Sequence, residues 1–141
     1  MQPIRVLVVD DEKDFASAVV ERLALRGFRA LAVFSGQEAL KSISITEYDV
    51  IVLDLKMPGI DGLETLKAVR QIDPDLQVLV LTGHGTVSAG IGGMQLGAAD
   101  FLQKPVGIGT LGRSIEAAAE RTRSCRESKQ KKTETKEEEK S

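Results

Sequence analysis

The sequence carries one cysteine, Cys125, so no internal disulfide can form and a reducing compartment is the expected setting. It also lacks an excess of charge: 19 basic residues face 21 acidic ones, a net charge of -2. That balance gives no electrostatic footprint for nucleic acid or for an anionic membrane surface. No apolar stretch approaches the roughly 18 residues of a membrane span. The opening residues, Met1 to Arg5, run straight into a strand-like segment without the longer apolar stretch of a signal peptide. These absences lead to the expectation of a soluble cytoplasmic protein with no direct contact to nucleic acid or membrane. What remains is 141 residues, 42% of them hydrophobic, enough for one domain with a buried core.

Three runs are apolar at nearly every position: Ile4 to Val9 (broken by Arg5), Val50 to Leu53 and Val78 to Leu81. Short runs rich in Val and Ile are the mark of strands buried on both faces, which occur in parallel sheets covered by helices. Arg29 to Phe34 and Asp100 to Leu102 are weaker strand candidates. Helical patterns fill the gaps. Phe15, Val19, Leu23 and Leu25 mark the apolar stripe of a first helix stopped by Gly27. Ser35-Gly36-Gln37-Glu38 is a capping box for a second, and Asp61-Gly62-Leu63-Glu64 is a related cap for a third, which ends at Pro74. A fourth helix is expected over Thr86 to Leu96 and a fifth from about Gly107 to Arg123. The whole predicts an α/β domain of (βα)5 type, a flavodoxin-like, doubly wound, five-stranded parallel sheet.

Residues 1–125 are expected to form the domain, and 126–141 a charged tail or the start of a linker. The tail contains only Arg, Glu, Ser, Lys, Gln and Thr, so it has nothing to bury and is expected to be a solvated, disordered tail or a frayed extension of the last helix. Elsewhere, nine of the thirteen glycines lie between residues 83 and 112. Gly90, Gly92 and Gly93 fall inside the expected fourth helix, where they either lower its stability or permit close packing.

In a parallel α/β sheet, function gathers at the carboxyl ends of the strands. The first strand delivers Asp10-Asp11-Glu12 there, the third Asp54, the fourth Thr82 and the fifth Lys104. Crowded carboxylates repel one another, and a hard divalent cation relieves that repulsion. Oxygen ligands without Cys or His favour Mg2+ over zinc. A carboxylate in such a place can attack a phosphoryl group and form an aspartyl phosphate. A lysine, a threonine hydroxyl and a metal would neutralise the charge on the transferring group.

Four blocks lie in order along the chain: Val8-Val9-Asp10-Asp11-Glu12, Asp54 through Pro58-Gly59 to Gly62, Leu81-Thr82-Gly83, and Gly97 through Asp100-Phe101 to Lys104-Pro105. With them the chain resembles the receiver domains of bacterial two-component response regulators, over roughly residues 3 to 124. The resemblance implies a CheY-like fold and a phosphorylation switch. Asp54 would accept a phosphoryl group from the phosphohistidine of a sensor histidine kinase or phosphotransfer protein. Asp11 would ligate Mg2+ directly, Asp10 largely through water, and Asp54 and the backbone carbonyl of Lys56 would complete the protein ligands. Thr82 and Lys104 would grip the phosphoryl oxygens. Phe101 would be the aromatic that turns inward as Thr82 moves. Lys56 and His84 stand where side chains tune phosphate lifetime in this family, and the Lys104-Pro105 bond stands where a cis peptide is usual.

The resulting expectation is a stand-alone receiver that is no enzyme beyond its own phosphotransfer and autodephosphorylation. It would present a changed surface of the fourth helix, fifth strand and fifth helix to an unidentified downstream protein, with a phosphorylation-dependent homodimer as one form of output. A fragment of a longer transcriptional regulator is an alternative, since Leu81-Thr82-Gly83-His84-Gly85 resembles receivers of that kind. A phosphate-independent interaction module would not need Asp54, Thr82 and Lys104 together. An aspartyl-phosphate phosphatase would need Asp-x-Asp after its first strand, whereas Asp54 follows the third and is succeeded by Leu55-Lys56.

Overall fold

The apolar runs become the centre of one parallel sheet. The computed structural model describes residues 2–56, 62–83 and 92–140, with backbone alone at Thr82 and from 131 onward. The elements are β1 (Arg5–Val9), α1 (Lys13–Leu25), β2 (Arg29–Val33), α2 (Gly36–Ile45), β3 (Val50–Leu53), α3 (Gly62–Ile72), β4 (Gln77–Thr82), α4 (helical at 92–95), β5 (Asp100–Gln103) and α5 (Ile108–Lys140). The five strands lie in the order β2-β1-β3-β4-β5, all parallel. The (βα)5 expectation therefore holds. The chain winds outward in one direction from β1 and in the other from β3, so the crevice between these two strands is the topological switch point.

Alternate strand residues serve the two faces, as the pleat requires. Val6, Val8, Val50, Val52, Leu79 and Leu81 pack with Ala16, Val19 and Leu23 of α1 and with Leu111 and Ile115 of α5. Leu7, Val9, Ile51, Leu53, Val78 and Val80 pack with Ala39 of α2 and with Leu66 and Val69 of α3. The strand β2 lies at an edge and is only partly covered, which is why its sequence signal is weak.

The helix ends obey their sequence signals. Ser35 accepts a hydrogen bond from the Glu38 N–H at 3.1 Å, and the Glu38 carboxylate reaches back to the Phe34 N–H at 2.7 Å. Gly27 takes the left-handed conformation, φ +92°, that ends α1. Leu25 departs from the expected stripe: it is 84% exposed, having run past the last turn of α1 that faces the sheet. The expected cap Asp61 and residues 86–91 of the expected fourth helix lie outside the described residues. In α4, a Cβ on Gly93 would meet Val80 Cγ2 at 3.3 Å, so close packing is what this glycine permits.

Through the charged tail α5 continues to Lys140, as an extension of the last helix. Absence of apolar residues does not forbid a helix that is already nucleated: its backbone bonds are internal, and extension avoids the costly first turn. Glu, Lys, Gln and Arg are also good helix formers. The start of the extension is tied down as well. Arg126 bonds the Tyr48 carbonyl at 2.8 Å and Asp73 at 3.1 Å, and Lys129 meets Asp75 at 2.9 Å.

Candidate functional site

The switch point places Asp10 just beyond β1 and Asp54 just beyond β3. Both residues are almost wholly buried, at 2% and 4% exposure. Their backbones are pinned by the sheet: the Asp54 N–H donates to Val9 O at 2.9 Å and the Asp10 N–H to Val33 O at 3.2 Å. Each carboxylate then turns its Oδ1 back to a local N–H. Asp10 accepts from Glu12 N at 3.0 Å, and Asp54 accepts from Lys56 N at 3.0 Å. The second oxygen of each is left for the crevice.

Lys104 enters from the loop after β5. Its Nζ lies 2.7 Å from Asp10 Oδ2 and 3.7 Å from both Asp54 Oδ2 and Glu12 Oε1. The peptide bond that succeeds it, Lys104-Pro105, is cis, as its sequence position suggests. Gly62 sets the back of the site. A Cβ there would collide with Leu55 Cα and fall 2.7 Å from Asp54 O, so only glycine lets α3 begin against the backbone that carries Asp54.

One ammonium does not balance this group. Asp54 is raised from 3.8 to about 6, chiefly because burial strips its water; the Lys56 N–H and the Lys104 charge work against that, while the Asp10 and Asp11 charges add to it. For Lys104, burial disfavours the charge, but the bond to Asp10 and the fields of Asp54, Asp10 and Glu12 outweigh it, so its pKa is raised. Lys104 is therefore an ammonium at any physiological pH. The remaining deficit of positive charge is what a cation would supply. Asp10, Glu12 and Asp54 each offer an oxygen, all within 4.8 Å of one another, and this acidic group could hold a metal ion.

The sequence-predicted residues are thus brought together in part. Asp10, Asp54 and Lys104 converge. Asp11 is exposed and falls outside the three-carboxylate group, though its charge reaches Asp54. Glu12 takes a place there that the pattern of paired acids did not assign. Thr82 ends β4, opposite Gln103 of β5, but its side chain lies outside the described residues, as does all of His84. Lys56 is exposed, and Phe101 is half-buried against the core on the α3 face.

A family model described as the response regulator receiver domain matches residues 6–116. The chain belongs to the receiver domains of response regulators. Among curated relatives, it is 38% identical over 117 residues to the transcriptional regulatory protein PrrA of Mycobacterium leprae, which covers 83% of this chain and 50% of that protein. It is 35% identical over 118 residues to the C4-dicarboxylate transport transcriptional regulatory protein DctD of Rhizobium meliloti, covering 84% of this chain and 26% of that one. The receiver thus spans half or less of these two relatives. Among solved structures, the Francisella response regulator 1452 receiver domain matches with a TM-score of 0.78 and 34% identity, over 86% of this chain and 99% of that one. The receiver domain of NtrX from Brucella abortus matches with a TM-score of 0.78 and 32% identity, over 82% and 98%. This receiver is a unit of phosphorylation-dependent, two-component signalling. No helix among its described residues is long and apolar enough to cross a membrane.

Proposed function

We propose that Asp54 is the phosphoacceptor of this receiver and that the switch is thrown by a sensor histidine kinase or phosphotransfer protein in the cytoplasm. The observation that carries the reading is the buried Asp54 carboxylate at the switch point, with its second oxygen 3.7 Å from the Lys104 ammonium. Asp54 Oδ2 attacks the phosphorus of a phosphohistidine. The new O–P bond forms as the P–N bond breaks, and the imidazole leaves with the electron pair and takes up a proton. Lys104 stands within reach of an oxygen carried on Asp54 and offsets the charge of the transferring group. Thr82, at the end of β4, supplies a hydroxyl to the phosphoryl oxygens, and Phe101 responds to its movement.

The donor set fits Mg2+: oxygen atoms only, two of the three carboxylates buried, and a surplus of negative charge that Lys104 leaves uncovered. Asp10, Asp11, Asp54 and the Lys56 carbonyl are the proposed ligands, with Glu12 beside them. When bound, the metal neutralises charge on the phosphoryl oxygens. The chemistry ends on the protein itself, so the receiver is a switch and not a turnover enzyme. Lys56 and His84 are proposed to set the lifetime of the phosphoryl group.

Output passes through the surface of α4, β5 and α5 to a downstream protein or a second copy, and the domain, residues 1–125, needs no contact with nucleic acid. A second reading has the same switch drive an appended domain through α5. Helical continuation of α5 to Lys140 and the greater length of PrrA and DctD favour it. Intact-mass spectrometry after incubation with acetyl phosphate tests the acceptor. A magnesium-dependent gain of one phosphoryl group, absent in Asp54→Ala, is expected. No gain, either from acetyl phosphate or from a histidine kinase, would leave a phosphate-independent interaction module.

A further inference from the structure

We propose that Phe15 is a positioning residue for Lys104, the face of its ring seating the ammonium among the carboxylates of Asp10, Asp54 and Glu12. The inference rests on the reading that Lys104 serves the phosphoryl group. Lys104 comes after β5, and the carboxylates it serves come after β1 and β3, so its side chain must cross the end of β4 to reach them. A lysine is a point charge on a flexible stem, and its attraction to three carboxylates is not directional. At 2.7 Å from Asp10 and 3.7 Å from Asp54 and Glu12, the ammonium has several comparable resting places.

The ring of Phe15 removes that freedom. Lys104 Nζ lies over it, 4.1 Å from the centroid, well inside the range where a ring face attracts a cation. Only 15% of the lysine side chain is exposed, so water screens the contact little. The ring is itself well placed to hold a position. Phe15 belongs to the first turn of α1, three residues after Glu12, and packs against the cluster that contains Ala16, Val19 and Leu81. The segment that delivers the acidic residues of β1 therefore also delivers the wall against which their counter-charge rests. A leucine at this position would keep the apolar packing and lose only the π face.

Two measurements test the proposal. The first is NMR of 13C-labelled lysine, tracking the ε-methylene protons of Lys104. An upfield ring-current shift is expected in wild type and in Phe15→Tyr, and its loss in Phe15→Leu. The second is the rate of phosphorylation by acetyl phosphate with Mg2+, read by intact mass. Phe15→Leu should slow it by up to roughly thirtyfold, the size expected for a desolvated cation–π contact, with Phe15→Tyr near wild type. In a Lys104→Ala background, Phe15→Leu should have no further effect, because the two residues act as one unit. A wild-type rate in Phe15→Leu, equal slowing in Phe15→Tyr, additive slowing in the double variant, or no ring-current shift would each overturn the proposal. If Lys104→Ala reacts as fast as wild type, the role given to Lys104 fails and the proposal with it. If Lys104→Ala is slow and Phe15→Leu is not, the proposal alone fails.

Discussion

At the scale of single residues, Asp54 is held at a cost to stability. Its carboxyl has a folded pKa of about 6 against 3.8 in the open, so the folded state binds its proton more tightly than the unfolded state does. That preference sets the sign. The stabilisation is complete below pH 3.8 and is lost as the pH rises through 6. Asp54→Asn keeps an acceptor for the Lys56 N–H and removes the charge. In chelator, it should be more stable than wild type at pH 7.5, by up to about 3 kcal/mol, with the difference closing toward pH 4. Urea titrations at the two pH values decide this, and equal differences at both would refute it. Gly62 carries a second, opposite prediction. Gly62→Ala pushes a methyl into the backbone of Asp54 and Leu55 and should cost about 2–3 kcal/mol while slowing phosphorylation. Gly107→Ala, whose Cβ would meet nothing within 4 Å, should lie within about 0.5 kcal/mol of wild type in the same denaturation series.

At the scale of elements, the surprising piece is the end of α5. Thr122, fully buried, donates to the Asp49 carbonyl at 2.6 Å and accepts from the Gln77 N–H at 3.2 Å, which fastens α5 to the starts of β3 and β4. Asp49, 4% exposed, accepts from Arg5 N at 2.9 Å and from Arg123 at 3.2 Å, with Arg126 at 3.7 Å. Asp49→Ala leaves two guanidinium groups without their buried partner and should cost about 3 kcal/mol. Arg126 lies past the expected domain end at residue 125. Truncation after Cys125 should therefore cost about 1 kcal/mol, and truncation after Gln130 less than about 0.5, because residues 131–141 include no apolar side chain to bury. Thermal melts of the two truncations check this. Sequence reading was strong for β1, β3 and β4, whose central residues (Val6–Val9, Val50–Leu53 and Val78–Leu81) are buried on both faces and so form unbroken apolar runs. It was weaker for the edge strand β2, where a single covered face leaves a mixed pattern. For the tail it left disorder and helix extension both open, because the rule for disorder weighs apolar burial and not the ease of extending an existing helix. In the site, a strand-end pattern pointed to Asp10, Asp54 and Lys104. Glu12 and Phe15 were visible only as a motif letter and a stripe position, since contacts between α1 and the loop after β5 span about 90 residues and leave no local signal.

At the scale of the whole molecule, the sheet has a balanced end and an unbalanced one. At the amino ends of the strands, Asp49 and Glu47 are matched by Arg5, Arg123 and Arg126. At the carboxyl ends, Asp10, Glu12 and Asp54 gather around the one ammonium of Lys104, and the Asp11 charge adds to the field at Asp54. Stability should accordingly respond to a divalent cation at one end only. A ligand that binds the folded state stabilises it by RT ln(1 + [L]/Kd), about 1.4 kcal/mol at a tenfold excess over Kd. Mg2+ should raise the melting temperature of wild type at pH 7.5, and should do so much less for Asp54→Asn, which has lost a ligand and the charge that makes binding favourable. The advantage of Asp54→Asn over wild type, seen in chelator, should therefore shrink or reverse as Mg2+ is added. Asp49→Ala should gain as much from Mg2+ as wild type does, since its defect lies at the other end of the sheet. Scanning calorimetry of the three proteins across a magnesium series separates these outcomes. Equal gains in wild type and Asp54→Asn would mean that the ion binds elsewhere, and the surplus charge around Asp54 would then have to be met by the incoming phosphoryl donor's own counter-charge.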